Sequence, residues 1–219
     1  MNIEIWFDFA CPFCYIGQKR LFTALDILKS KANITFKSYQ LNPNQDNVEK
    51  NYIIELGKKY AVGTDGARKM VRRAEELALK EGLNISFDNV IDVNTFKAHC
   101  GMKYAQDNNK HLEYFDEVME AYFVKGLNIS KDDTLIAIAM KLGLNAEEFR
   151  NAINDDKYAK RVNKDLKDGK KLRIRTTPFL VINGKETLSG AHETLKLVNV
   201  LSKYVVANAQ EVFSKEMRK

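Results

Sequence analysis

The chain has 219 residues, 45% hydrophobic and 29% charged, with only 11 Gly and 3 Pro. This excludes a disordered or loop-dominated chain and supplies enough apolar side chains to close a core without covalent staples. The formal charge of +6 is scattered, with concentrations in Lys164–Arg175 and in the tail Lys215–Lys219. No nucleic-acid motif accompanies it, so it reads as solvated helix faces. No apolar run approaches the roughly 20 residues that cross a bilayer. The start, MNIEIWFDFACPF, has no basic leader and no small-residue cleavage site, so a cytoplasmic protein is expected. Three cysteines in such a setting are no disulfide scaffold. Cys11 and Cys14 form a C-x-x-C, and Cys100 stands alone.

Ile3, Ile5, Phe7 and Phe9 alternate with Asn2, Glu4, Trp6 and Asp8, which predicts a strand that is largely buried because Trp6 is apolar too. A helical stripe follows through Phe13, Ile16, Arg20, Ala24, Leu25 and Leu28, ending near Ser30. Pro12 suits its first turn, which puts Cys11 at about the N-cap. Asn33 to Gln40 alternates again as a second strand, and strand, helix, strand implies a right-handed crossover if the pair is parallel.

From Gln45 to Gly169 the apolar period changes to three and four. Helices are predicted over Val48–Ala61, Ala67–Glu81, Thr95–Asn108, Leu112–Val124, Lys131–Leu142, Ala146–Ile153 and Lys157–Lys167. Ser130 and Asn145 read as N-caps, and Gly82, Gly126 and Gly143 fall at C-terminal ends. Strand chemistry then returns. Phe179–Ile182 is a short apolar run, Asn183-Gly184 is a hairpin signal, and Glu186–Ser189 is the return strand. A last helix is predicted over Glu193–Val206, with His192 opening it. The simplest assembly is one α/β unit, residues 1–44 and 170–219, interrupted by an all-helical insertion, residues 45–169.

A C-x-x-C where a strand gives way to a helix is suited to thiol–disulfide exchange. Backbone N–H groups and the helix dipole face the first sulfur and favour its thiolate, which is both attacking and leaving group. Cys11 is therefore assigned as nucleophile, and Cys14, one turn on, as the thiol that resolves the mixed disulfide. A zinc site is the alternative, but it needs about four ligands, and Cys100, His99, His111 and His192 offer no second close pair. No metal is expected. Pro178, in Thr176-Thr177-Pro178 before a buried strand, is either a trans proline opening the strand or a cis proline that places the Thr177 backbone beside the disulfide.

Asp8-Phe-Ala-Cys-Pro-Phe-Cys-Tyr-Ile-Gly17, Leu41-Asn-Pro43, Asn94-Thr-Phe-Lys-Ala-His99, Ala121-Tyr-Phe-Val-Lys-Gly126 with Ile129, Thr177-Pro-Phe179 and Ser189-Gly-Ala-His192 resemble the DsbA-like oxidoreductases of the FrnE type. These are relatives of the 2-hydroxychromene-2-carboxylate isomerases and kappa-class glutathione transferases. The resemblance implies a thioredoxin-like α/β fold with a large helical insertion, a cis peptide at Pro178, and Cys11 and Cys14 as the redox pair. Where the isomerase and transferase members carry Ser at the first catalytic position, this chain has Cys11, which favours disulfide chemistry.

Pro12, Phe13 and Thr177 are the expected substrate contacts, and the Thr177 hydroxyl is a candidate donor to the Cys11 thiolate. Phe13 stands where strong oxidants of the family carry a histidine. Asp8 is read as a hydrogen-bonding loop residue, with proton acceptance near Cys14 as the alternative. Cys100 is read as a small buried hydrophobe, and Tyr104, Tyr114, Phe115, Tyr122 and Phe123 as insertion core. The expected partners are protein or peptide thiols and disulfides, with no tightly bound cofactor and glutathione as a candidate redox partner. No nucleic acid or membrane is expected, and the chain would act as a monomer or homodimer. A glutathione-dependent transferase or isomerase, and a non-catalytic client-binding module, are the competing readings.

Overall fold

The computed structural model describes residues 1–46 and 48–216, with side chains described through residue 205. The elements run β1 (Asn2–Phe7), α1 (Pro12–Ile27), β2 (Asn33–Ser38), β3 (Lys50–Asn51), α2 (Tyr52–Lys59), α3 (Gly63–Lys80), β4 (Ile91–Asp92), α4 (Phe96–Asp107), α5 (His111–Phe123), α6 (Asp132–Lys141), α7 (Ala146–Asn154), α8 (Asp156–Lys171), β5 (Phe179–Ile182), β6 (Glu186–Ser189) and α9 (Thr194–Glu216). Four strands make one mixed sheet in the order β2-β1-β5-β6. β1 and β2 are parallel, β5 is antiparallel to β1, and β6 is antiparallel to β5. This is the thioredoxin-like arrangement with helices inserted between its halves.

The register positions the site. Trp6 lies opposite Phe179, so the chain just before β5, Thr177-Pro178, lies beside the chain just after β1, where Cys11 sits. The hairpin that sends β6 back is closed by Asn183 (φ 50°) and Gly184 (φ 68°). Two successive left-handed residues are what a two-residue turn of the strands' own twist requires.

Ile3, Ile5, Phe7, Ile34, Phe36, Leu180 and Ile182 lie in one continuous buried cluster with side chains of α1, α4, α5, α7, α8 and α9. Phe115 of α5 stacks on Phe36 with ring centroids 4.8 Å apart and meets Phe7 edge-on at 5.2 Å. The helical block is therefore packed into the sheet's own core. A second, small cluster of Trp6, Ile174 and Val181, flanked by Tyr39 and Phe179, is separate from it. All five aromatics predicted as insertion core are buried.

Several predicted boundaries are corrected. The block is not wholly helical: β3 and β4 pair antiparallel, Lys50 opposite Asp92 and Asn51 opposite Ile91. α2 consequently starts at Tyr52, capped by Asn51 Oδ1 accepting from Ile54 N–H at 3.1 Å. α3 begins at Gly63, one turn before the predicted Ala67. The N-cap of α6 is Lys131, not Ser130, because the Ser130 hydroxyl donates to Asn128 Oδ1 at 2.6 Å instead. Asn145 caps α7 as expected, accepting from Glu147 and Glu148 N–H, both at 3.0 Å. α8 runs on to Lys171, since Asp168 pairs with Lys164 and Lys171 at 2.7 and 3.0 Å. His192 lies before α9 rather than in its first turn. The side chains of the basic tail 215–219 lie outside the described residues.

Candidate active site

Cys11 is the N-cap of α1, in an extended conformation, with Pro12 in the first helical turn and no acidic residue there. The N–H groups of that turn thus face Cys11 without a competing carboxylate. Cys11 N–H donates to Asp8 O at 3.1 Å and Cys14 N–H to Cys11 O at 3.0 Å, which fixes the loop from β1 into the helix. Both cysteines are free thiols. Cys11 keeps 5% of its surface exposed while Cys14 has none, so of the two sulfurs Cys11 is the one open to the cleft.

The two thiols are pushed apart in acidity. The Cys14 thiol donates to the Cys11 sulfur, which holds Cys11 below its ordinary value against the opposing effect of burial. Burial, and then that same bond, push Cys14 well above its ordinary value. One sulfur is poised to ionise and the other to stay protonated.

On the far side of Cys11 stands Thr177, itself buried. The Thr177–Pro178 peptide is cis, and Cys11 Sγ donates to Thr177 O at 3.4 Å. Thr177 Oγ1 makes no hydrogen bond while both cysteines are thiols; its hydroxyl is free to turn to sulfur, and there it favours the thiolate of either cysteine. The close approach depends on Gly17 of α1, where a Cβ would lie 2.7 Å from Pro178 Cγ.

A cleft of about 530 Å³ opens beside Cys11. Ala10, Pro12, Phe13 and Leu41 form one wall, and Leu56, Met70, Val71, Ala74, Phe87 and Val93 an apolar wall contributed by the helical block. Glu55, Lys58, Lys59 and Asp92 supply charge around it. Phe13 is 37% exposed, so it presents an apolar face at the mouth. Cys100 is 1% exposed, and burial pushes its thiol up to about 12. It lies outside the cleft lining and behaves as a small apolar residue. Among the described residues no three His, Cys, Asp or Glu side chains gather as a metal site.

Asp8 is the residue whose surroundings were least legible. Its carboxylate accepts from Leu41 N–H and the Thr95 hydroxyl, both at 2.7 Å, and from Ala10 N–H at 3.3 Å. His99 Nε2 stands 3.4 Å from Asp8 Oδ1. The loop hydrogen bonds are as expected. The histidine partner, 91 positions away, was not, since nothing in local sequence pairs the two.

Compared with known proteins, residues 2–202 match the sequence profile of the DSBA-like thioredoxin domain. A curated relative is the uncharacterized protein YwbO of Bacillus subtilis (strain 168), 26% identical over 194 residues, covering 87% of this chain and 90% of that one. Among solved structures, a probable DsbA oxidoreductase from Streptomyces coelicolor is 26% identical with a TM-score of 0.87, covering 93% of this chain and 89% of the other. The cytosolic disulfide reductase DsbM from Pseudomonas aeruginosa, solved with GSH, shares the fold at 10% identity with a TM-score of 0.67, covering 94% and 99%.

Proposed function

Because this chain belongs to the DSBA-like thioredoxin domain family, we propose that it is a thiol–disulfide oxidoreductase working through Cys11 and Cys14. The observation that carries the reading is the asymmetry of the two sulfurs: one is partly exposed and acidified, the other is sealed and held protonated. The Cys11 thiolate attacks a substrate disulfide, forming a Cys11–substrate bond and releasing the other substrate sulfur as a thiolate. Cys14 then loses its proton and attacks Cys11 Sγ, which closes the Cys11–Cys14 disulfide and expels the second substrate thiolate. The reverse sequence oxidises a substrate dithiol. Thr177 and Pro178 flank the reacting sulfur, while Pro12 and Phe13 meet the substrate from the cleft side.

The substrate class is protein, peptide or small-molecule thiols and disulfides, with glutathione a candidate partner in a cytoplasmic setting. The neighbour solved with GSH supports that last element as an analogy of fold only. The test is to poise the protein in glutathione buffers and trap free thiols by alkylation. A reversible two-electron couple that Cys14→Ser abolishes and Cys100→Ser leaves intact is the expected result. Absence of any Cys11–Cys14 disulfide at every poise overturns the reading.

A further inference from the structure

Beneath Cys11 lies a polar cluster that the exchange chemistry above does not use. Asp8 is 1% exposed, Thr95 2% and His99 not at all. The His99 ring packs against Phe7 and Phe9 at 4.9 and 5.1 Å, and its Nδ1 is buried with no partner. Apolar side chains of similar size would fill this space at less cost, since buried polar and ionisable groups pay a desolvation cost that apolar ones do not. Asp8 and Cys11 also face one cleft and are joined through Cys11 N–H to Asp8 O. A Cys11 thiolate therefore places a second negative charge in a site that already holds a carboxylate, and two like charges cannot both be kept cheaply away from water.

Resting on the proposed exchange at Cys11, we propose that the Asp8–His99 pair takes up the proton that Cys11 gives up, so that the reduced site carries one net negative charge and not two. When a substrate dithiol reduces the Cys11–Cys14 disulfide, two protons and two electrons arrive. One proton stays on Cys14, Cys11 is left as a thiolate, and the second proton is held by the His99 imidazole against the Asp8 carboxylate, while the substrate leaves as a disulfide. Closing the disulfide again releases the proton from His99. The other titratable groups packed around the pair are Cys14 on α1, Tyr52 on α2, Asp92 on β4, Cys100 on α4, and Tyr114 and Tyr122 on α5. The tyrosines and Cys100 are pushed up, as is Cys14, so each stays neutral. Asp92 is raised by burial and then by Glu55, which makes it the competing proton acceptor, but among the described residues no hydrogen bond joins it to Asp8, whereas His99 Nε2 stands 3.4 Å from Asp8 Oδ1. His99 is the group in direct contact with Asp8 that carries a free ring nitrogen.

Nuclear magnetic resonance of the imidazole nitrogens tests this on the full chain at one fixed, near-neutral pH. The expected result is an imidazolium signature for His99 in the reduced protein and a neutral ring once Cys11 is blocked, whether by the disulfide or by alkylation. The alkylated arm needs no disulfide, so failure of the exchange reading and failure of this inference are separable. His99→Gln is expected to reduce the acid dissociation constant of Cys11 about tenfold, the effect of one uncompensated charge nearby, as read by mass-resolved alkylation across pH. A His99 ring whose protonation is the same in both forms overturns the proposal, as does an unchanged Cys11 titration in a folded His99→Gln. Should that variant not fold, the wild-type resonance comparison decides alone.

Discussion

Replacing Cys14 by Ala removes the hydrogen bond that is the first cause of Cys11's acidity, so the midpoint of Cys11 alkylation is expected to rise toward the ordinary thiol value of 9.0. The sign for stability follows from the same shift. Cys11 is more acidic folded than unfolded, so its contribution to the reduced protein is complete above pH 9.0 and is lost as pH falls through the folded midpoint. Denaturant melts of the reduced wild type and Cys11→Ser are therefore expected to diverge as pH rises toward 9.0 and to converge in acid. Gly17 belongs to the same scale. An added Cβ there forces Pro178 outward by several tenths of an ångström or more, and Gly17→Ala is expected to cost about 1–3 kcal/mol as overpacking and to slow exchange by loosening the Thr177 side of Cys11. Unchanged melting and exchange in Gly17→Ala would contradict this.

Among the elements, α8 is tied to α4 and β2 by a buried ion pair. Asp165 Oδ2 lies 2.5 Å from Lys103 Nζ and accepts from Ser38 N–H at 3.0 Å, while Lys37 lies 3.3 Å from Oδ1. Lys103 also donates to Phe36 O at 2.8 Å. Asp165→Ala strands a buried ammonium and is expected to cost about 3–5 kcal/mol, whereas Lys103→Met with Asp165→Leu is expected to be close to neutral; paired denaturant titrations measure both. Elements of this size were readable in sequence when they were long enough to show a period, as in β1, α1, β2 and the Asn183-Gly184 hairpin. β3 and β4, two residues each, display no period at all and were absorbed into a predicted helix and a loop. The Ser130 cap failed for another reason: a nearer acceptor, Asn128, took its hydroxyl.

At the scale of the whole molecule, the cleft is a joint product of the sheet end and the helical block. Ala74 of α3 sits on its apolar wall, so Ala74→Trp is expected to fill part of the 530 Å³ and slow exchange with peptide disulfides several-fold. The rate with hydroxyethyl disulfide, small enough to reach Cys11 past the plug, should hold. Equal losses for both would place the substrate elsewhere. Cys11, Cys14, Thr177 and Pro178 could be named as candidates because they are local signatures at two points of the chain, and the fold brings Cys11 against Thr177. The cleft wall and the Asp8–His99 contact were not legible, because each is made by segments that only the packed molecule brings together. Cys11 Sγ and the Thr177 carbonyl that accepts its hydrogen bond are 166 positions apart. A chain still being synthesised exposes the cysteine pair long before its counterpart. Until β5 has left the ribosome and paired with β1, the nascent chain carries Cys11 without the Thr177 contact, and the complete reactive site exists only once synthesis has passed Ile182.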